Sequence, residues 1–166
     1  MPMRLRYWLA VLLPVAVAGA WYLFRPDTLV LSRRVDEQPA LAPAGGNTAG
    51  SAATLLAVGH LHDVRHEGRG TVTIHRRSDG SMVLRLSELR MDNGPDLYVY
   101  LVAAPDAWDD ETVTRSGFIS LGRLKGNLGN HNYEVPARVD LSRYRAISIW
   151  CRRFGVNFAT APLMTG

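Results

Sequence analysis

Apolar and polar positions alternate with a period of two through most of the chain after residue 54, which predicts strands rather than helices. Leu55 to Leu61 opens this part, and Gly70 to Arg77 follows with the β-branched run Thr71-Val72-Thr73-Ile74. Ser78-Asp79-Gly80-Ser81 contains the Asp-Gly pair that a type I′ turn favours, and Met82 to Leu86 alternates behind it, so a hairpin is expected here. Asp92-Asn93-Gly94-Pro95 is again turn chemistry: short polar side chains, a glycine and a proline with its φ preset. The strand after it puts Leu97, Val99 and Leu101 on one face and Tyr98 and Tyr100 on the other. Both faces are substantially apolar, which predicts a central strand covered on both sides.

Its natural partner is Ile147-Ser148-Ile149-Trp150-Cys151, a strand of the same character that ends on the only cysteine. Phe118 to Leu121, Asn132 to Pro136 and Val156 to Ala159 read as further strands. Gly122 to Gly129 is a glycine-rich break, and Ala103 to Gly117 a loop with at most one helical turn over Ala107 to Glu111. Many short strands without a long helical period predict an all-β antiparallel sandwich or barrel-like module.

Before residue 54 the pattern changes. Tyr7 to Phe24 is an uncharged run between Arg4 and Arg6 on one side and Arg25-Pro26 on the other. As a helix it would be about 27 Å long, close to the hydrocarbon thickness of a bilayer. Trp8, Trp21 and Tyr22 sit near its ends, where amphipathic rings favour the interface. A transmembrane helix is therefore expected, giving a single-pass cell-membrane protein with its C-terminal domain extracytoplasmic, although Arg25, Arg33 and Arg34 weaken the charge asymmetry. The competing reading is a signal cleaved near Ala18-Gly19-Ala20, which would make the protein secreted. From Asp36 to Thr54 the chain is rich in Ala, Gly, Pro and Ser and reads as a flexible linker with a mean reach of about 25 Å. The expected organisation is thus an anchor or signal over 1–25, a juxtamembrane segment and linker over 26–54, and the β domain over 55–166.

The formal net charge is +4, and the basic residues are spread rather than clustered, which argues against a nucleic-acid partner. A single cysteine forbids an intramolecular disulfide and a multi-cysteine metal site, and leaves an intermolecular disulfide open. Cys151 shares strand parity with Ile147 and Ile149, as a small buried hydrophobe would. Yet it also ends its strand at a turn, with Arg153 two residues on, where a cation would favour a thiolate. His60 and His62 have the spacing of one strand face, but two ligands do not make a metal site, and no metal is expected. Tyr98, Tyr100 and Trp150 suit core packing first and an electron relay second. Asp92 and Asp96 suit capping of their own turn first and binding of a cation second. No nucleophile elbow, phosphate loop or zinc-protease helix is present, so hydrolase and transferase chemistry has no motif to rest on.

Four blocks in order resemble the DM-thirteen family, electron-transfer modules found beside DOMON and cytochrome b-type domains in Skeletor-like proteins. They are Asn93-Gly94-Pro95-Asp96-Leu97-Tyr98-Val99-Tyr100-Leu101, Leu121 to Gly129, Tyr133-Glu134-Val135-Pro136, and Ile147 to Leu163. The family's opening pattern is similar to Gly59-His60-Leu61, His66 and Gly70-Thr71-Val72, with Leu61 in place of an aromatic residue. The resemblance implies a β-rich fold and a redox role for Cys151, as a bare thiol or as a ligand to a prosthetic group, with His66 as its companion. A Cys151–His66 pair would suit the axial positions of a haem, held non-covalently because no Cys-x-x-Cys-His motif is present. It also implies a redox partner protein. The alternative is a non-catalytic binding or adhesion module that uses loops such as Ala103 to Gly117, with a structural buried cysteine.

Overall fold

The computed structural model describes residues 3–24, 31–41 and 53–165. It contains an N-terminal helix, α1 (Met3–Phe24), and two β-sheets. Among the described residues no helix is long and apolar enough to cross a membrane; the described side chains of α1 are those of Ala10 and residues 12–22, part of the apolar run.

In chain order the strands are β1 (Arg34–Asp36), β2 (Thr54–His60), β3 (His62–Asp63), β4 (Gly68–Arg76), β5 (Met82–Met91) and β6 (Leu97–Val102). A short helix, α2 (Asp110–Ser116), precedes β7 (Phe118–Arg123), β8 (Leu128–Val135), β9 (Ala146–Cys151), β10 (Val156–Pro162) and β11 (Met164–Thr165). One sheet has the order β1-β8-β5-β4-β2-β11 and the other β3-β10-β9-β6-β7. Their inner faces share one core: Val72, Ile74, Leu84, Leu86 and Tyr133 from the first meet Leu97, Val99, Leu101, Ile147 and Ile149 from the second. The module is a β-sandwich, as its alternation predicts, with all pairs antiparallel except β1 with β8.

The expected partnership of β6 and β9 is present in register, Leu97 facing Cys151, Val99 facing Ile149 and Leu101 facing Ile147. β6 lies between β9 and β7. Its outer face is covered as well, because Tyr100 and Val102 pack with Ala104, Ala107, Val113 and Trp150 in a second cluster. The helical turn in this segment lies three residues later than expected. Asp109 caps α2 by accepting from the Thr112 N–H at 2.6 Å, a cap the apolar pattern does not reveal.

The β4–β5 hairpin forms where expected, but its turn is not type I′. That turn needs positive φ at both central residues, and here Gly80 has φ 84° while Glu88 is the only described non-glycine with positive φ. Instead the Gly80 N–H donates to Arg77 O at 3.0 Å and the Arg77 N–H to Ser81 O at 2.8 Å, with glycine in the left-handed position. Asp79 Oδ1 accepts from both the N–H and the hydroxyl of Ser81, at 2.9 and 2.6 Å, which holds the loop without a left-handed Asp79.

Part of the stretch assigned to juxtamembrane segment and linker belongs to the sheet. β1 adds in parallel to β8, Val35 opposite Gly129, and the glycines of the break allow this approach. A Cβ on Gly126 would meet Arg33 O at 2.4 Å, and one on Gly129 would meet Val35 O at 2.2 Å. The buried Asn127 side chain accepts from the Arg33 N–H at 2.7 Å and donates to Met91 O at 3.1 Å, tying the segment to β5. Further along, Glu37 bonds Lys125 Nζ and the Asn132 N–H, both at 2.7 Å, and Arg77 Nε donates to Ala40 O at 2.7 Å. Burial opposes ionisation of Glu37, but its bonds to Lys125 and Asn132 hold the carboxyl below its ordinary range. The remainder of the linker, 42–52, lies outside the described residues.

Candidate functional site

Cys151 is the last residue of β9 and stands opposite Leu97 of β6 and Val156 of β10. Its inward parity puts it in the main core at 0% exposure, and among the described residues no hydrogen bond reaches its sulfur. The strand stops here because residues 152–155 turn back, closed by the Gly155 N–H to Cys151 O at 2.9 Å, with Gly155 at φ 64°. Arg153 is exposed on that turn rather than on a continued strand, so the parity that would bring it beside the thiol does not extend to it.

Phe158 and Leu97 close this end of the core. The register of β10 on β9 shifts between Asn157 and Ala159, which makes Phe158 a bulged residue. Its carbonyl accepts the N–H groups of Val64, Arg65 and His66 at 3.2, 3.2 and 3.1 Å, fixing the loop that carries His66. The His66 ring stacks on Phe158 with centroids 3.8 Å apart, and its Nδ1 lies 3.3 Å from Asp92 Oδ2. On the other side Gly94 is packed so closely that a Cβ would meet Leu97 at 2.7 Å and Phe158 at 3.0 Å. The turn Asp92 to Pro95, the Phe158 ring and His66 therefore form one cap over the end where Cys151 sits.

Cys151 and His66 thus belong to one neighbourhood but do not touch. A haem between them would need an open slot reached by both ligands. The His66 face is instead in van der Waals contact with Phe158, and Cys151 lies among apolar side chains of the core. In this arrangement the residues do not fit an axial Cys-His pair.

Other candidates separate. His60 ends β2 and His62 lies in β3, in different sheets, so they do not share a strand face. The chain passes from one sheet to the other at Leu61, whose N–H donates to Gly70 O at 2.9 Å. Among the described residues no group of three or more His, Cys, Asp or Glu is placed to hold a metal ion. Neither Asp92 nor Asp96 caps its own turn: Asp92 faces His66, and Asp96 Oδ1 accepts from Arg123 Nη2 at 2.8 Å. Tyr98, Tyr100 and Trp150 do lie together on the outer face, Tyr100 with centroids 6.3 Å from both, and Arg152 stacks over Tyr98 at 4.6 Å. Burial raises the Tyr100 phenol above its ordinary value, which keeps it protonated.

Several polar residues escape the apolar pattern altogether. Ser148 Oγ donates to Asn157 Oδ1 at 2.7 Å, and Asn157 Nδ2 donates to Ala107 O at 2.7 Å, all buried beneath segment 103–117. His62 stacks on the exposed Trp108 at 4.0 Å and bonds Asp106 Oδ2 at 3.0 Å. A polar residue within an otherwise apolar strand, as Ser148 and Asn157 are, is the one signal in the sequence that could have pointed to a covered outer face.

A two-sheet module with one thiol sealed into the end of its core is the class these features define. The model of a family described as electron transfer DM13 matches residues 60–163, and the chain belongs to that family. Comparisons with curated proteins and with solved structures found no match.

Proposed function

We propose that this protein is a membrane-tethered, extracytoplasmic electron-transfer module in which Cys151 is the redox residue. The observation that supports the reading is the position of the thiol: it is the last residue of β9, opposite Leu97, at the end of the core that the Asp92 to Pro95 turn and Phe158 close, rather than at mid-strand. In this reading, movement of the cap is what gives a partner access to the sulfur, which is fully buried at rest. The balanced chemistry is exchange with a disulfide-bearing partner protein. The Cys151 thiolate attacks one partner sulfur, the mixed disulfide forms, and the other partner sulfur leaves as a thiolate that takes up a proton. In this reading His66, whose Nδ1 lies 3.3 Å from Asp92 Oδ2, receives the thiol proton once the cap moves. The tether is α1, whose uncharged run from Tyr7 to Phe24 has the length of a bilayer core, and cleavage of that segment would give a secreted form.

The test uses the full chain in a neutral detergent. Native thiol titration is expected to be slow, to accelerate in low denaturant well before global unfolding, and to vanish in Cys151→Ser. A sulfur that reacts only on the global unfolding curve, with an optical spectrum free of any chromophore, overturns the redox reading. That outcome leaves the second reading, a binding or adhesion module, which is favoured by the complete burial of Cys151 among apolar neighbours.

A further inference from the structure

The segment preceding β1 does more than lengthen a sheet. It closes a cleft of about 530 Å³ against the turn 93–97 and the loop 123–127. β1 and this segment lie outside the part of the chain that the family model matches, so the cleft is built by an addition to the family module. Its floor is apolar, made by Pro95, Leu97 and Leu124, and its rim carries Arg33, Arg34 and Arg123. No residue that lines it bears a carboxylate. Among the described residues Arg34 faces Asp36 at 3.6 Å through Nη1 alone, and Arg123 bonds Asp96 at 2.8 Å and Pro95 O at 3.3 Å through Nη2 alone. A guanidinium has five donors, so both keep donors for a further acceptor. Lys125, by contrast, is taken up by Glu37 and Asn132 O, each at 2.7 Å.

We propose that this cleft binds a membrane lipid with an anionic phosphate head, the phosphate between Arg33, Arg34 and Arg123 and the upper chain against Pro95, Leu97 and Leu124. The volume is in the range of sites for small amphiphiles. Paired guanidinium groups recognise phosphate through several charge-assisted hydrogen bonds. The source of the lipid follows from chain length and rests on the tether proposed above. Seven peptide links join Phe24, the end of α1, to Leu31 at the cleft, a span of at most about 25 Å. If α1 crosses the bilayer, the cleft cannot leave the neighbourhood of the headgroups. Leu97 is then shared: it floors the cleft and stands opposite Cys151, so an occupied cleft reinforces one wall of the cap over the thiol.

The experiment uses the full chain in a neutral detergent and follows thermal unfolding with three probes: short-chain phosphatidylglycerol, short-chain phosphatidylcholine and inorganic phosphate. Phosphatidylglycerol is expected to raise Tm by several degrees in a saturable way, as a ligand of the native state must, and the other two to leave it unchanged. Arg33→Gln with Arg34→Gln should raise the half-saturating concentration about tenfold or more, since charged hydrogen bonds are lost. Both residues are exposed, so the Tm without lipid should hold, and Arg33→Lys with Arg34→Lys should recover part of the response. Equal stabilisation by phosphatidylcholine, stabilisation by inorganic phosphate alone, or an unchanged response in the glutamine variant overturns the site. Alkaline carbonate extraction of the full chain from membranes separates the two proposals. A chain released by carbonate but stabilised by phosphatidylglycerol keeps the site and loses the tether; a chain retained but unresponsive does the reverse.

Discussion

The two faces of β9 are buried to the same degree and built by different means. On the inner face Ile147, Ile149 and Cys151 meet the opposite sheet with no polar side-chain atom among them except a sulfur that makes no hydrogen bond among the described residues. On the outer face Ser148 bonds Asn157, Asn157 bonds Ala107 O, and Trp150 lies under the segment that those bonds hold down. The inner face depends on volume and shape, so it tolerates little loss of either. The outer face depends on a few directed bonds, and its loop stays closed only while they are made. A redox residue on the first face is protected by packing; one on the second would be protected by a latch.

The comparison is broken most forcefully from the inside. Ile149→Ala leaves a cavity where β6, β9 and the opposite sheet meet, and it should cost about 4 kcal/mol in urea unfolding. A cost near 1 kcal/mol would mean that the inner face relaxes, and that Cys151 is not sealed by packing. Next comes Asn157→Ala, which strands the Ser148 hydroxyl and Ala107 O without their partner. It should cost about 2 to 3 kcal/mol, and proteolysis within 103–117 should rise more than global unfolding explains. A uniform loss would show that the loop is not latched by these bonds. Smaller still, Cys151→Ser puts a hydroxyl among the apolar side chains of the core and should cost about 1 to 2 kcal/mol. Cys151→Ala should cost less than the serine variant if the site is as dry as its neighbours, and more if the sulfur's volume dominates.

The same contrast separates what was legible in the chain from what was not. Period-two alternation gave the sandwich, the β6–β9 pair and the inner face, because each inward residue declares itself by its own apolarity. The outer face needed Asn157 to find Ser148 across a strand pair and Ala107 fifty residues away, and no local pattern encodes such a partner. β1 was hidden for a related reason. Three residues carry no period, and their pairing is licensed by Gly126, Asn127 and Gly129, which read alone as a break. Of the candidate site, Cys151 was found from its strand, and His66 only from the family pattern. The stacking of His66 on Phe158 depends on a bulge in β10 that the sequence does not announce.

The smallest effect sharpens the comparison from the opposite sheet. His131 is the one histidine on an inner face: it shares the parity of Tyr133 and Val135, is fully buried, and has an Nδ1 with no partner. Its Nε2 lies 3.2 Å from Leu128 O, so the neutral ring donates there. Burial lowers its pKa below the ordinary 6.5, with the bond to Leu128 and the charge of Glu37 opposing that shift and Lys125 adding to it. The folded state therefore refuses a proton that the unfolded chain accepts. Above pH 6.5 neither form is protonated and stability is unaffected. As the pH falls below 6.5 the unfolded chain gains protons first, and stability declines by up to about 1.4 kcal/mol per pH unit until the folded pKa is reached. His75, also lowered by burial, contributes in the same direction, so the measurement is a difference. The pH profile of unfolding between 7.5 and 4.5 should be flatter in His131→Leu than in the wild type, and the two should converge above pH 7 apart from a constant offset. Parallel profiles would mean that water reaches Nδ1, and that the inner face of this sheet admits a latch of the kind found outside β9.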